Sequence, residues 1–211
     1  MDRGDEEQLE QIRDWWRRNG PSIMLGLSLA MVLLAGWWAY DTWQERAAQQ
    51  AAADYAEFIQ LERRDADLSE LESLGQRLLA AHEGSGYAVL TALRMARLQV
   101  DAGAFEAAAQ TLGWLVENSQ HKPTAELARL RQARALAESD PERAVELLDG
   151  ENKVAAGFRA AYAELRGDLL TDLGRSGEAA QAYREALAAN GLAPKSREMV
   201  EIKLRAVESE A

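Results

Sequence analysis

The chain has 211 residues, 28% of them charged, with 24 Lys/Arg against 35 Asp/Glu for a net charge of −11; it has two histidines and no cysteine. Disulfides, thiolate metal sites and cysteine nucleophiles are therefore excluded, and an acidic chain with no basic stripe is unsuited to nucleic acid. Abundant alanine, leucine, glutamate and arginine, with little valine or isoleucine, favour helix over sheet.

Residues 1–40 hold four Arg against six Asp/Glu, and residues 41–211 hold 20 Lys/Arg against 29 Asp/Glu. So acidic a body does not adhere to anionic lipid, and membrane attachment must come from an anchor. Residues 1–18 read as a cytoplasmic tail. Leu9, Ile12 and Trp16 recur there at helical spacing. Two readings fit: an amphipathic helix over 5–18 lying on the membrane surface, or an ordinary frayed tail.

The anchor follows. From Asn19 to Tyr40 there are 22 residues without a charge, about 33 Å of helix, enough for a hydrocarbon layer of ~30 Å. Between Ile23 and Gly36 lie seven Ile/Leu/Val residues, which favour insertion by ~2–4 kcal/mol. Trp37, Trp38, Tyr40 and Trp43 mark one interface, and Trp15 and Trp16 mark the other. Pro21 is expected near the helix start, where its missing N–H costs nothing. Arg3, Arg13, Arg17 and Arg18 precede the span and only Arg46 follows within twenty residues, so the N-terminus is expected in the cytoplasm and the large domain outside. The exit sequence Ala35-Gly36-Trp37-Trp38-Ala39-Tyr40 places bulky aromatics where a signal peptidase needs small residues, so the span is expected to be retained. Gly26 and Ala30 form a small-x-x-x-small pair, a candidate seat for another membrane helix.

Residues 41–194 read as a helical repeat domain. Residues 45–62 continue as helix with Tyr55, Phe58 and Ile59 in an apolar stripe, and Asp65 to Asp67 make a turn. Leu68, Leu71, Leu74, Leu78 and Leu79 mark a second helix ending near His82, before the break at Gly84-Ser85-Gly86. A third is expected over 87–100 with Leu90, Leu93 or Ala92, and Ala96 as packing positions, and a fourth over 105–117. The phrase returns as helices 124–138 and 142–149, then 158–172 and 177–189. Ala96, Ala133 and Gly167 in the first helices are spaced by 37 and 34, and Ala108, Ala144 and Ala179 in the second by 36 and 35. A period near 35 in an all-helical segment marks a helix-pair solenoid, whose close crossings need Gly or Ala where helices meet. Gly103 and Gly174 fall at turns within a pair, where positive φ is often required. The last segment, 195–211, reads as a capping helix in which Met199, Val200, Ile202, Leu204 and Val207 cover the open end.

Here the sequence resembles tetratricopeptide repeats. The best copy runs from Gly167 to Leu187, with Gly167, Ala179, Tyr183 and Ala186 on the family's small and aromatic positions. Gly103-Ala104-Phe105-Glu106-Ala107-Ala108 opens the second half of another copy, which departs at Leu115. The middle copy, with Ala133, Pro141 and Ala144, is one residue short at its turn. In such repeats the first helix of each pair lines a concave groove.

No active site is legible. His82 and His121 stand at helix ends or turns without a ligand trio, no phosphate-cradling loop follows a strand, and the serines show no His/Asp constellation. No cofactor is expected. A binding surface is the better candidate. Glu164, Asp168 and Asp172 fall at i, i+4 and i+8 and share one helix face, at a repulsive cost of a few tenths of a kcal/mol per pair, ~0.2–0.5. That ladder reads either as a solvated face or as a contact for a basic partner segment. Trp114, the one tryptophan beyond the anchor region, reads either as core or as a partner-binding anchor.

The whole layout is similar to the YfgM family, the ancillary subunit of the bacterial SecYEG translocon. The likeness lies in the charged tail, the span ending in Gly36-Trp37-Trp38, the alanine-rich helix through Tyr55, Gly86-Tyr87-Ala88, the segment Ala107 to Leu115, and above all Tyr162-Ala163-Glu164-Leu165-Arg166-Gly167-Asp168-Leu169-Leu170. This resemblance implies a single-pass bacterial inner-membrane protein with a periplasmic repeat domain. It implies action beside the SecYEG translocon, together with a membrane-anchored periplasmic peptidyl-prolyl isomerase, on newly exported client proteins. The competing readings are an envelope scaffold or signalling adaptor without translocon contact, and an enzyme whose residues meet only in space.

Overall fold

The computed structural model describes residues 3–149 and 154–210, and side chains at 13, 15–149 and 154–209. The amphipathic stripe through Leu9 and Ile12 lies outside the described side chains. The chain divides into two units, Met1–Gln50 and Ala51–Ala211. Among the described residues all regular structure is helical.

The first helix, α1, runs Arg3–Arg63 and passes through Pro21. Pro21 therefore does not open the helix, as the sequence suggested. Continuing costs one hydrogen bond, whereas a break beside the apolar run would leave several backbone groups unbonded. Within the first unit the apolar side chains face outward: Leu25, Val32 and Leu33 are 73, 68 and 65% exposed. The helix is long and apolar enough to cross a membrane. Its polar exceptions are satisfied internally. Ser28 Oγ donates to the Met24 carbonyl at 2.8 Å, and Thr42 Oγ1 donates to that of Trp38 at 2.8 Å.

The second unit is a helix-pair solenoid. The end of α1 is followed by α2 (Leu68–Ala81), then by α3 (Gly86–Asp101) with α4 (Phe105–Asn118), and by α5 (Lys122–Ala137) with α6 (Pro141–Leu148). A short 3-10 turn, Ala156–Phe158, leads into α7 (Arg159–Asp172), α8 (Ser176–Ala188) and α9 (Pro194–Glu210). Each of α2 to α9 packs on its sequence neighbour, and α5 also touches α7. Such stacking is what shares a core between pairs that could not bury an apolar face alone.

That core forms two clusters. Phe58 is sealed by Leu71, Leu74 and Leu78 of α2 and by Ala92 and Met95 of α3. The larger cluster runs from Ala96 through Ala133, Leu136, Leu169 and Tyr183 to Val200 and Val207. The small residues expected at the crossings are where they should be: Ala108, Ala133, Ala144 and Ala179 are fully buried. Two expectations fail. Leu90 is 47% exposed, because Ala92 and Met95 fill the inner face of α3. Met199 and Ile202 are also exposed, because α9 buries the i, i+4, i+7 stripe Val200, Leu204 and Val207 instead.

The turns within the pairs explain the glycines. Gly103 has φ +74° and Gly174 φ +73°. At the first, Gly103 N–H donates to Val100 and Ala104 N–H to Gln99; at the second, Gly174 N–H donates to Thr171 and Arg175 N–H to Leu170. This is the Schellman closure, which satisfies the last helical carbonyls. The middle pair solves the turn differently. There α5 stops one residue earlier relative to Ala133, and Asp140 accepts from Arg143 N–H at 3.1 Å to cap α6, with Pro141 in its first turn.

Candidate partner-binding site

Glu164 and Asp168 lie one turn apart on α7, as their spacing requires. Their partner is Lys203 of α9, whose Nζ donates to Glu164 Oε1 at 2.8 Å and to Asp168 Oδ2 at 2.9 Å. Tyr183 of α8 donates its hydroxyl to Asp168 Oδ1 at 2.9 Å and lies 3.2 Å from Thr171 Oγ1. The site thus draws on three helices. Burial alone would lower the pKa of Lys203, but hydrogen bonds and charge from Asp168 and Glu164 outweigh it and raise the pKa. Burial, reinforced by the nearby Asp168 carboxylate, pushes the Tyr183 phenol up to about 12. Asp172, the third rung, is exposed and outside this cluster.

The ladder is therefore two occupied acids and one solvated one. Any basic segment of a partner would meet Asp172 freely but would have to share or displace Lys203 at the other two. Lys203 was not legible as their partner, because it stands 39 and 35 residues away and only the docking of α9 on the last pair brings it close.

A second buried polar contact links α5 to α7. The carboxylate of Glu126, only 3% exposed as a residue, accepts from the Tyr162 hydroxyl at 2.6 Å and from Ala155 N–H at 3.3 Å. Burial, then the Glu126 bond, raises the Tyr162 pKa strongly. A carboxylate so bonded, with Arg129 3.7 Å away, ties adjacent pairs together.

Trp114 is half-buried and packs against the Phe58 cluster. Its exposed part borders a cavity of about 360 Å³ lined also by Gln76, Met95, Gln99 and Thr111. His82 Nε2 lies 2.6 Å from Asp54 Oδ2, a pairing invisible in sequence, and His121 sits exposed before α5. Among the described residues no group of three or more His, Asp or Glu is placed to hold a metal ion. On α1, Gly26 has open space where a Cβ would stand, and Ala30 one turn on is also exposed. Together they present a shallow notch on the apolar helix.

A family model described as a tetratricopeptide repeat-like domain matches residues 13–209. Three curated proteins called ancillary SecYEG translocon subunit are similar to this chain. That of Neisseria gonorrhoeae is 26% identical over 204 residues, covering 95% of each chain. That of Escherichia coli is 25% identical over 206 residues, again 95% of each. The match to the Haemophilus influenzae protein is 26% identical over 127 residues, and spans 60% of this chain and 61% of that one.

Proposed function

This chain belongs to the tetratricopeptide repeat-like domain family, as a YfgM-like member, and from that premise we propose that it is a non-catalytic adaptor held beside the SecYEG protein-export channel. It is a single-pass inner-membrane protein. The observation that carries the reading is the likeness over 95% of the chain to relatives called ancillary SecYEG translocon subunit, a layout of one apolar helix followed by stacked helix pairs. In this proposal residues 1–18 are a cytoplasmic tail, 19–40 the span, 41–194 the repeat domain and 195–211 its cap. Arg13, Arg17 and Arg18 before the span, against Arg46 after it, favour a periplasmic repeat domain.

The partners follow from the same premise. The span reaches the channel, with Gly26 and Ala30 as the seat for one of its helices. The repeats face a membrane-anchored periplasmic peptidyl-prolyl isomerase and newly exported clients, through Trp114 and the acidic rungs Glu164, Asp168 and Asp172. Copurification in mild detergent tests it. The channel is expected to accompany the full-length chain and to be largely lost when the span is replaced by a cleavable signal. Equal recovery of the channel after that replacement would overturn the role given to the span.

A further inference from the structure

The chain contains four asparagines, at 19, 118, 152 and 190. Two of them are tied down. Asn19 Nδ2 donates to the Trp15 carbonyl at 3.1 Å, and Asn118 Nδ2 donates to that of Trp114 at 2.8 Å, each one turn back along its own helix. Asn152 lies outside the described side chains. Asn190 is placed differently. It is exposed in the five-residue connection 189–193 between α8 and α9, and its amide has no hydrogen-bond partner among the described residues.

Asn190 is followed by Gly191, a dipeptide that the chain repeats only at Asn19-Gly20. An asparagine is open to attack by its own main chain. The nitrogen of the next residue reaches the side-chain amide carbon and closes a five-membered ring, unless a side chain shields that nitrogen or a helix engages it. Glycine has no Cβ to shield it. Gly191 has φ +98°, nothing lies within 4 Å of where its Cβ would stand, and its N–H has no acceptor among the described residues. Gly20 lies inside α1 instead, where its N–H belongs to the helical bond to the carbonyl four residues back. The same dipeptide is thus open to the reaction at one place and protected at the other.

We propose that Asn190-Gly191 is a site of spontaneous covalent modification, at which loss of the Asn190 amide lengthens the connection and loosens the cap α9. The Gly191 nitrogen gives up its proton and bonds to Asn190 Cγ. The bond from Cγ to Nδ2 breaks, and Nδ2 leaves with that proton as ammonia. Water then opens the resulting succinimide at either carbonyl, and the new carboxyl releases one proton. Opening at one carbonyl leaves aspartate at 190. Opening at the other leaves isoaspartate, whose side-chain methylene has entered the main chain. Either product takes the net charge from −11 to −12, but only isoaspartate lengthens the connection. That connection joins elements held closely together: Arg197 Nη1 donates to the Leu187 carbonyl at 3.1 Å, Arg184 pairs with Glu208, and Val200 and Val207 are buried. The inference does not rest on association with the export channel.

The test uses the full-length chain in maltoside micelles, kept in warm, mildly alkaline buffer and sampled over weeks. Samples are cut with pepsin in acid, where ring closure is slow, and the peptides are weighed. The peptide holding residue 190 is expected to gain about one dalton, faster as pH is raised, while those holding Asn19 and Asn118 stay unchanged. Returned to the alkaline buffer as free peptides, both Asn-Gly pairs should react. A folded chain in which 190 keeps its amide, or in which 19 reacts as fast as 190, would overturn the proposal. So would a gain at this peptide that persists in Asn190→Gln, whose longer side chain disfavours the ring. The effect on the cap is read separately. Anion exchange isolates the aged chain by its added negative charge, and amide hydrogen exchange over α9 is expected to be about threefold faster or more than in fresh chain. Asn190→Asp, which carries the charge without the added methylene, should stay near the fresh rate. Equal exchange in aged and fresh chain, or equal acceleration in Asn190→Asp, would overturn the loosening of α9 by a lengthened main chain.

Discussion

Gly167 of α7 lies flat against the ring of Tyr183 of α8, so close that a Cβ on Gly167 would stand 2.5 Å from the ring's Cε1. The ring cannot retreat, because its hydroxyl is bonded to Asp168 and lies 3.2 Å from Thr171 Oγ1, and the residue is only 2% exposed. Gly167→Ala gains about 1 kcal/mol in helix propensity but forces the two helices apart. Overpacking of this kind costs ~1–3 kcal/mol, and a net loss of thermal stability is expected in a melting curve. Gly113→Ala is the control. Its Cβ would meet the Gln132 amide tip, 2.7 Å away, and that flexible end can swing aside, so stability should hold or rise slightly.

Lys203 ties α9 to α7 through two carboxylates, and the three side chains are 29, 26 and 36% exposed. Solvent screening keeps such a partly exposed contact near 1 kcal/mol. Lys203→Met is therefore expected to cost about that much and to loosen α9 first. Limited proteolysis should show faster cutting in the 189–193 connection. The coupling can be isolated by a cycle: in a Glu164→Gln, Asp168→Asn background, Lys203→Met should cost much less. An equal cost in both backgrounds would show that the ion pairs do not hold the cap.

The helix pairs were legible because their signal is local and repeated: a 35-residue period, small residues at the crossings, and glycine where φ is positive. Helix ends mostly fell within two residues of expectation for the same reason. What sequence did not reveal depends on which of several competing faces turns inward. Leu90 and Met199 sit at acceptable helical spacing, yet Ala92 and Val200 are fully buried on the same helices. The α7 acids were found by their i, i+4 spacing, but their neutralisation by Lys203 needed the folded cap. The pairs Glu126–Tyr162 and His82–Asp54 have sequence separations of 36 and 28, and nothing local announces them. Pro21 misled because a proline that opens a helix and one that a long helix carries through look alike in sequence.

Alkaline pH should weaken the last repeats. Tyr162, Tyr183 and Lys203 all have pKa values raised in the folded chain, Tyr183 to about 12 from an ordinary 10.0, and Lys203 upward from 10.5. A raised folded pKa means the contribution is complete below the ordinary value and is lost as pH climbs through the folded one. The melting temperature is therefore expected to be flat with respect to these groups near neutrality and to fall above about pH 10. Tyr183→Phe should make the fall between pH 10 and 12 shallower. An unchanged slope would show that the phenol is not held neutral.

The two turn designs depend on different features, a positive φ in one and a side-chain cap in the other. At Gly174, φ is +73°, and placing a Cβ there costs ~1–2 kcal/mol. Gly174→Ala should lower the melting temperature accordingly. At the middle turn no glycine is needed, and the stabilising element is the Asp140 carboxylate on Arg143 N–H. Asp140→Gly keeps the backbone freedom and should cost only a few tenths of a kcal/mol, about 0.3, whereas Asp140→Ala should cost ~0.5–2. Finding Asp140→Gly as harmful as Gly174→Ala would mean that Asp140 does more than cap α6.

The span can be tested for anchoring and for recognition separately, because the two depend on different properties of one helix. Anchoring needs total apolarity. Val32→Asp places a carboxyl at the centre of the run, and its cost of ~3 kcal/mol cancels most of the ~2–4 kcal/mol that favours insertion. The variant is expected to move from the membrane pellet to the soluble fraction on alkaline carbonate extraction. Recognition needs a notch. Gly26 has open space around its missing Cβ, so Gly26→Leu leaves insertion intact, even improved, while filling the place where another helix would approach. If the notch seats a helix of the export channel, Gly26→Leu stays fully in the pellet but loses the channel in mild-detergent copurification. Undiminished copurification by Gly26→Leu would place the contact elsewhere on the chain, even if Val32→Asp still released it from the membrane.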